Sequence, residues 1–398
     1  MTRIFATAIL LVLLSACFSV IRDENPPAAL IISQLKLLST NVKESIGKIS
    51  DPGKEVVTVR SLNPDGTLKL IPSKDWCSGF FPGTLWLAAN LTKDNELRQL
   101  ASEFTTPLEQ EKFNGKTHDM GFKMMSSFGQ GYRFTKDSAY RSILIQSAKT
   151  LTKRFNENVG ALRSWDHSRD KWQFPVIIDN MMNLELLFWA SRQTGDQQYY
   201  NIAVKHAETT LANHFRADNS SYHVVDYDSI TGKVIKKTTH QGYSDASAWA
   251  RGQAWGLYGY TMCYRETGIV SFLYQAQKIA GFILNHPNLP ADKIPYWDFD
   301  VTGSSQTPRD VSAATITASA LFELAGFVPS QKDYYIQSAR NILKSLQKDY
   351  LSKSGTNKGF LLGHSTGSFP QKTEVDVPIN YADYYFLEAL LRQKNLKK

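Results

Sequence analysis

Residues 180–215, NMMNLELLFWASRQTGDQQYYNIAVKHAETTLANHF, read as two helices joined by a tight turn. The first half, 180–192, is apolar and aromatic and lacks a charged face. Thr194-Gly195-Asp196 breaks the pattern, and 199–215 is amphipathic, with its charged residues on one side. A helix without a charged face is surrounded by protein, whereas one with such a face meets water. The hairpin therefore has an inner and an outer member. The same arrangement recurs at 250–264, Glu266-Thr267-Gly268 and 272–285, and again at 312–325 with 333–350. Looser copies are 83–89 with 95–104 and 121–132 with 138–156, while 380–394 reads as a last inner helix whose partner is an N-terminal helix, 28–46. Six hairpins whose first helices face inward close into a double ring, an all-α barrel. An open solenoid or an irregular bundle are the alternatives. Repeat spacings of roughly 45 to 70 residues are too uneven for a regular solenoid, whose periods stay below about 50.

Long connections precede the inner helices, at 157–174, 217–245, 287–311 and 352–378. Loops of this length in a compact domain are usually functional, and here they are expected to line one mouth of the barrel. Within the second, 222–227 and 233–238 flank Asp228-Ser229-Ile230-Thr231-Gly232 and read as a short β-hairpin.

The chain has 398 residues, of which 42% are hydrophobic and 12% aromatic, enough to fill one large core over 28–398. Its start is different. Met1-Thr2-Arg3 is followed by a nearly unbroken apolar run over 4–14 and by Leu14-Ser15-Ala16-Cys17, the pattern of a lipoprotein signal peptide over 1–16. About 14 apolar residues are too few to cross a bilayer. The expected mature protein carries a lipid on Cys17 and a tether over 17–27, and sits in a bacterial periplasm or anchored at the outer membrane, with no other membrane contact. Cys77 and Cys263 remain and are expected as buried thiols. Neither C-x-x-C nor H-E-x-x-H occurs, so no metal motif is present. The excess of 45 basic over 37 acidic residues, +8, favours an anionic partner. Lysines are dense only at 233–237 and 394–398, with no nucleic-acid motif beside them, so no nucleic-acid partner is expected and most of these charges read as a solvated surface; the protein is expected to be monomeric.

Two aspartates stand in apolar company: Asp119 in Lys116-Thr117-His118-Asp119-Met120-Gly121-Phe122, and Asp179 in Ile177-Ile178-Asp179-Asn180-Met181-Met182-Asn183. Each falls at the start of an inner helix in consecutive hairpins, so ring closure brings both to one mouth. Asp119 can also be read as a helix N-cap. A carboxyl group in such surroundings is either well paired or has a raised pKa, which lets it donate a proton near neutral pH. Asn180 and Asn183 extend a polar stripe expected to line a pocket. Nearby in sequence lie Trp165, the segment Thr239-His240-Gln241-Gly242-Tyr243, and Arg251 with Trp255, four apart and on one helical face. Tryptophan offers a flat face to a pyranose ring, and arginine a fork to a carboxylate.

Several segments together resemble the unsaturated glucuronyl hydrolases of glycoside hydrolase family 88: Asp75-Trp76-Cys77-Ser78-Gly79-Phe80-Phe81-Pro82-Gly83, His118-Asp119-Met120-Gly121-Phe122, Ile178-Asp179-Asn180-Met181-Met182-Asn183, His240-Gln241-Gly242-Tyr243, and Trp249-Ala250-Arg251-Gly252-Gln253-Ala254-Trp255. Glu374-Val375-Asp376-Val377-Pro378 and Tyr381-Ala382-Asp383-Tyr384-Tyr385 fit as well. The resemblance implies an (α/α)6 barrel without metal or cofactor that hydrates the C4=C5 vinyl ether of a 4,5-unsaturated uronic acid left by a polysaccharide lyase. It implies Asp179 as general acid and base and Asp119 as the second essential carboxylate. It further places His118, Trp165, His223, Thr239, Gln241, Arg251 and Trp255 at the substrate, with His240, Gln253 and Trp76 beside them. Unsaturated rhamnogalacturonyl hydrolases and a non-catalytic glycan-binding lipoprotein are the competing readings. Members accepting sulfated fragments resemble one another in placing serines and a lysine in the last loop. This chain has Ser365 and Ser368 there, but Phe369 follows directly and Lys372 is displaced.

Overall fold

The structure, a computed structural model, describes residues 26–51, 53, 55–304 and 306–396. The expected signal peptide, Cys17 and the tether up to residue 25 lie outside them. Helix α1 (Ala28–Gly47) comes first. Five hairpins follow: α2 (Phe80–Thr92) with α3 (Asn95–Thr105), α4 (Gln130–Thr135) with α5 (Ser138–Thr152), α6 (Leu184–Thr194) with α7 (Gln197–Asn213), α8 (Ala250–Thr267) with α9 (Val270–Asn285), and α10 (Val311–Leu324) with α11 (Lys332–Ser345). Helix α12 (Asn380–Asn395) ends the ring. The Gly121–Gly129 stretch, wound more widely than an α-helix, runs directly into α4 and forms one inner element with it. In order around the ring, α2, that element, α6, α8, α10 and α12 each pack on the next, and α12 returns to α2, which closes an (α/α)6 barrel.

Inner and outer helices differ as their patterns predict. Every residue of α10 but Glu323 is buried, whereas α11 buries Tyr335, Ala339, Ile342 and Leu343, one stripe at helical spacing. Helix α1 packs on α2, α3 and the 357–359 turn that leads toward α12. Three of the hairpin turns share one chemistry. Thr92-Lys93-Asp94, Thr135-Lys136-Asp137 and Thr194-Gly195-Asp196 each put the middle residue in the left-handed region. In each, the aspartate carboxylate caps the next helix by accepting from Leu97, Ala139 or Gln198 N–H, and the threonine hydroxyl accepts the aspartate's own N–H.

Because short turns join inner to outer helix at one end, every long connection falls at the other end, where inner helices begin. Small antiparallel sheets stiffen these connections. They are β1 (Thr58–Leu62) with β2 (Leu68–Ile71), β3 (Phe155–Asn156) with β4 (Ala161–Leu162), a three-stranded sheet β5 (Pro175–Ile177), β6 (Val224–Tyr227) and β7 (Val234–Thr238), and β8 (Ser365–Ser368) with β9 (Thr373–Val377). The expected hairpin is β6–β7, with Val224 opposite Thr238. Its third strand, β5, with Ile177 opposite Val224, was not legible in the sequence. Cys77 and Cys263 are free and buried.

Candidate active site

Asp119 immediately precedes the Gly121–Gly129 element, and Asp179 lies in the 3-10 turn Ile178–Asn183 that opens α6. Two details bring these helix starts together. A Cβ on Gly121 would stand 2.5 Å from Asn183 Cα, so only glycine allows this approach. Asn183 Oδ1 then accepts the Phe122 N–H at 3.0 Å, one of the donors that a helix start leaves unpaired. Asn180 donates to the Leu162 carbonyl at 2.8 Å. The polar stripe expected to line a pocket is thus buried bracketing that fixes the aspartates, because an amide facing backbone satisfies groups that a helix start cannot satisfy itself.

Asp119 does not act as an N-cap. Its Oδ2 accepts from the Thr117 hydroxyl at 2.8 Å, and its Oδ1 is 3.1 Å from His118 Nε2. His118 Nδ1 faces the Ser164 carbonyl, which can only accept, so the ring hydrogen of neutral His118 sits on Nδ1. Burial holds the imidazole below its ordinary pKa.

Asp179 is 8% exposed, and its Oδ2 has no hydrogen-bond partner. Burial raises its pKa from 3.8 to about 7, with the Asp119 charge adding to the shift while Arg251 opposes it. His223 faces it in the opposite tautomer to His118. Its Nδ1 accepts the N–H groups of His240 and Gln241, both at 3.1 Å, so Nε2 carries the hydrogen and points to Asp179 Oδ2 at 3.9 Å. Burial keeps His223 neutral, far below its usual pKa.

Around this pair the walls are aromatic. Trp76 packs on Phe122 and Tyr381, with centroids 5.3 and 5.1 Å apart, and Phe122 packs on Trp255 at 5.0 Å. Trp165 lies 5.6 Å from His240 and 6.4 Å from His223, and its indole N–H, like that of Trp255, has no partner. Gln241 donates to the Gly367 carbonyl at 3.0 Å, while Thr239 closes the 239–242 turn by accepting the Gly242 N–H at 2.8 Å.

Two expected residues behave differently. Arg251 does not present a free fork. Its Nη atoms are taken by Asp310 at 2.6 Å and by the carbonyls of Thr366 and Gly367, leaving Nε unpaired, and its guanidinium lies over Trp249 and Tyr381. Gln253 does not reach the pocket. It accepts the Ser221 N–H at 2.6 Å and donates to the Asn219 carbonyl, since two steps along α8 turn it to the opposite face from Arg251. One residue was missed. Tyr381, fully buried between Trp76 and Arg251, has an unpartnered hydroxyl. Tyr381, Tyr384 and Tyr385 all fall in one buried turn, and nothing in their order marks which one meets the pocket. Among the described residues no cluster of three or more His, Cys, Asp or Glu side chains is placed to hold a metal ion.

The arrangement offers a carboxyl group that keeps its proton near neutral pH, a neutral imidazole N–H ready to meet the anion left behind, and flat apolar walls. That set suits proton donation to a sugar ring in a largely dry site.

Residues 57–291 match the family described as Glycosyl Hydrolase Family 88. The chain is 52% identical over 338 residues to the unsaturated glucuronyl hydrolase of Formosa agariphila, covering 84% of each chain. It is 33% identical over 347 residues to the unsaturated chondroitin disaccharide hydrolase of Streptococcus agalactiae, covering 85% of this chain and 86% of that one. Among solved structures, an unsaturated glucuronyl hydrolase specific for heparin superposes with a TM-score of 0.86 at 47% identity, over 93% of this chain and 98% of its own.

Proposed function

The chain belongs to glycosyl hydrolase family 88, and from that premise we propose how its two aspartates release a sugar. The protein is an unsaturated glucuronyl hydrolase acting on glycosaminoglycan fragments. Its substrate is an anionic oligosaccharide that carries a 4,5-unsaturated uronic acid at the non-reducing end. Asp179 in its protonated form gives the proton to C4 of the vinyl ether, and positive charge develops at C5 and the ring oxygen. Water adds at C5, losing its proton to the Asp179 carboxylate, so the acid is regenerated. The hemiketal so formed opens at the bond between C5 and the ring oxygen to give a ketone, which leaves a hemiacetal at C1 that expels the next sugar. Asp119 holds the ring hydroxyls and offsets the developing charge. The His223 N–H stabilises Asp179 while it is ionised, and Trp76, Trp165, Trp255 and Tyr381 hold the ring faces. A single observation carries this reading: a carboxyl group whose pKa burial raises to about 7, opposite an imidazole whose Nε2 can only donate.

Loss of the ultraviolet band of the conjugated C4=C5 carboxylate tests it, with lyase-generated chondroitin, hyaluronan, heparin and pectin disaccharides each mixed with the protein. Decay on glycosaminoglycan fragments is expected. Decay on pectin fragments alone would move the chain to rhamnogalacturonyl chemistry, and no decay would leave a glycan-binding protein.

The location follows from residues outside the described structure. We propose that Cys17 is lipidated and holds the enzyme to a bacterial membrane facing the periplasm or the exterior, which the apolar run before Leu14-Ser15-Ala16-Cys17 supports. Cys17→Ala protein should then appear in the soluble fraction rather than with membranes.

A further inference from the structure

Outside the catalytic pocket, two large side chains are exposed where folding gains nothing from exposing them: Tyr243 at 64% and Phe369 at 41%. They stand on one groove of about 330 Å³ whose buried floor is Trp297 and whose rim includes Pro308 and Pro370. Phe369 stacks on the Trp297 ring at 4.7 Å and 27°, and Tyr243 meets the same ring edge-on at 6.3 Å and 72°. No charged residue is among those lining it.

Both walls continue out of the catalytic pocket. Gln241 and Gly367, joined by their hydrogen bond, mark the pocket's edge, and Tyr243 and Phe369 each lie two residues further along the same two segments. Two residues of chain span at most roughly 7 Å. The walls are also fixed in place. Buried Asp298 accepts the Tyr243 N–H at 2.8 Å and the Ser247 hydroxyl at 2.7 Å, and Gln371 donates across to the His240 carbonyl at 2.7 Å.

The uronic acid must lie with its C4 and C5 at Asp179, so the bond to the leaving sugar points toward the mouth. We infer that Tyr243 and Phe369, backed by Trp297, form a shelf that binds, by stacking, a pyranose ring on the leaving-group side beyond the first sugar, so that the protein engages tetrasaccharides more tightly than disaccharides. This rests on the function proposed above. Recognition here is by ring face, because the groove offers no cation to a sulfate or carboxylate.

Steady-state kinetics on unsaturated disaccharide and tetrasaccharide from one lyase digest test the shelf, using wild type, Phe369→Ala and Tyr243→Ala. Wild type should show a KM about 5-fold lower for the tetrasaccharide, the size of one aromatic stacking contact. Each variant should erase that difference and leave the disaccharide KM and kcat unchanged. Variants that leave the tetrasaccharide KM untouched, or raise both KM values by one factor, overturn the proposal. If no glycosaminoglycan fragment is turned over, the functional reading fails separately. Calorimetric binding of the tetrasaccharide to Asp179→Asn protein, with and without Phe369→Ala, still decides the shelf, and equal affinities overturn it.

Discussion

Asp179 keeps its proton because the fold denies its charge water and offers one distant N–H in return. That makes it useful and costly at once. A carboxyl group whose folded pKa lies above its unfolded one contributes stability that is complete below about 3.8 and is lost as pH rises through about 7. Asp179→Asn should therefore abolish turnover, a loss of at least about 100-fold, yet raise Tm at pH 8, by up to roughly 4 kcal/mol of stability, with a smaller gain at pH 5. Thermal melts at both pH values check this, and a lower Tm at pH 8 would contradict the buried-acid account. In wild type, kcat/KM should fall as pH rises through about 7, since the proton donor is lost. Gly121 acts at the same scale through space alone. Gly121→Ala would drive a Cβ into Asn183 and push Asp119 away from Asp179. Activity should drop about 100-fold, the penalty of roughly 1 Å of misplacement, while circular dichroism stays that of a helical barrel.

The elements divide the labour. Inner helices carry Asp119 and Asp179 at their starts, and hairpin turns lie at the far end. In one of these turns Asp94 caps α3 through the Leu97 N–H and pairs with Lys36 of α1 at 3.2 Å. Asp94→Ala should cost about 1 kcal/mol in denaturant unfolding and leave kcat unchanged, because the turn lies at the end of the barrel away from Asp119 and Asp179. Lys93 and Lys136 take a left-handed conformation that glycine holds at Gly195, so the turns are alike in geometry although their sequences look different. In helix α8, Arg251 ties α10, through Asp310, to strand β8 through the Thr366 and Gly367 carbonyls, and so fixes the wall that Gln241 touches. The Nη groups of the fork expected to meet substrate are thus taken up within the protein, and only Nε stays unpaired.

For the whole molecule, a net charge of +8 should draw an anionic fragment toward the mouth. Raising ionic strength from 0.01 to 0.15 M, which shortens screening from about 30 to about 8 Å, should lower kcat/KM, mainly through KM, and stopped-flow or steady-state rates would show it. Ring closure is the other property of the whole. The hairpin pattern in 180–215 and its copies determined that the chain is helical, which helix of each pair is inner, and that Asp119 and Asp179 head consecutive inner helices. Local periodicity and charge report burial, and burial is what a barrel's two layers differ in. The sequence also marked His118, Trp165, His223, Gln241 and Trp255, all of which the structure gathers near the two aspartates. Only the tertiary structure decided the rest. Gln253 faces away from the pocket, Asn180 and Asn183 bracket backbone, Tyr381 joins the wall, and the two histidines take opposite tautomers. Those outcomes depend on which carbonyl or N–H each side chain meets once the ring has closed, and hydrogen-bond partners 17 to 61 residues apart leave no mark in local sequence.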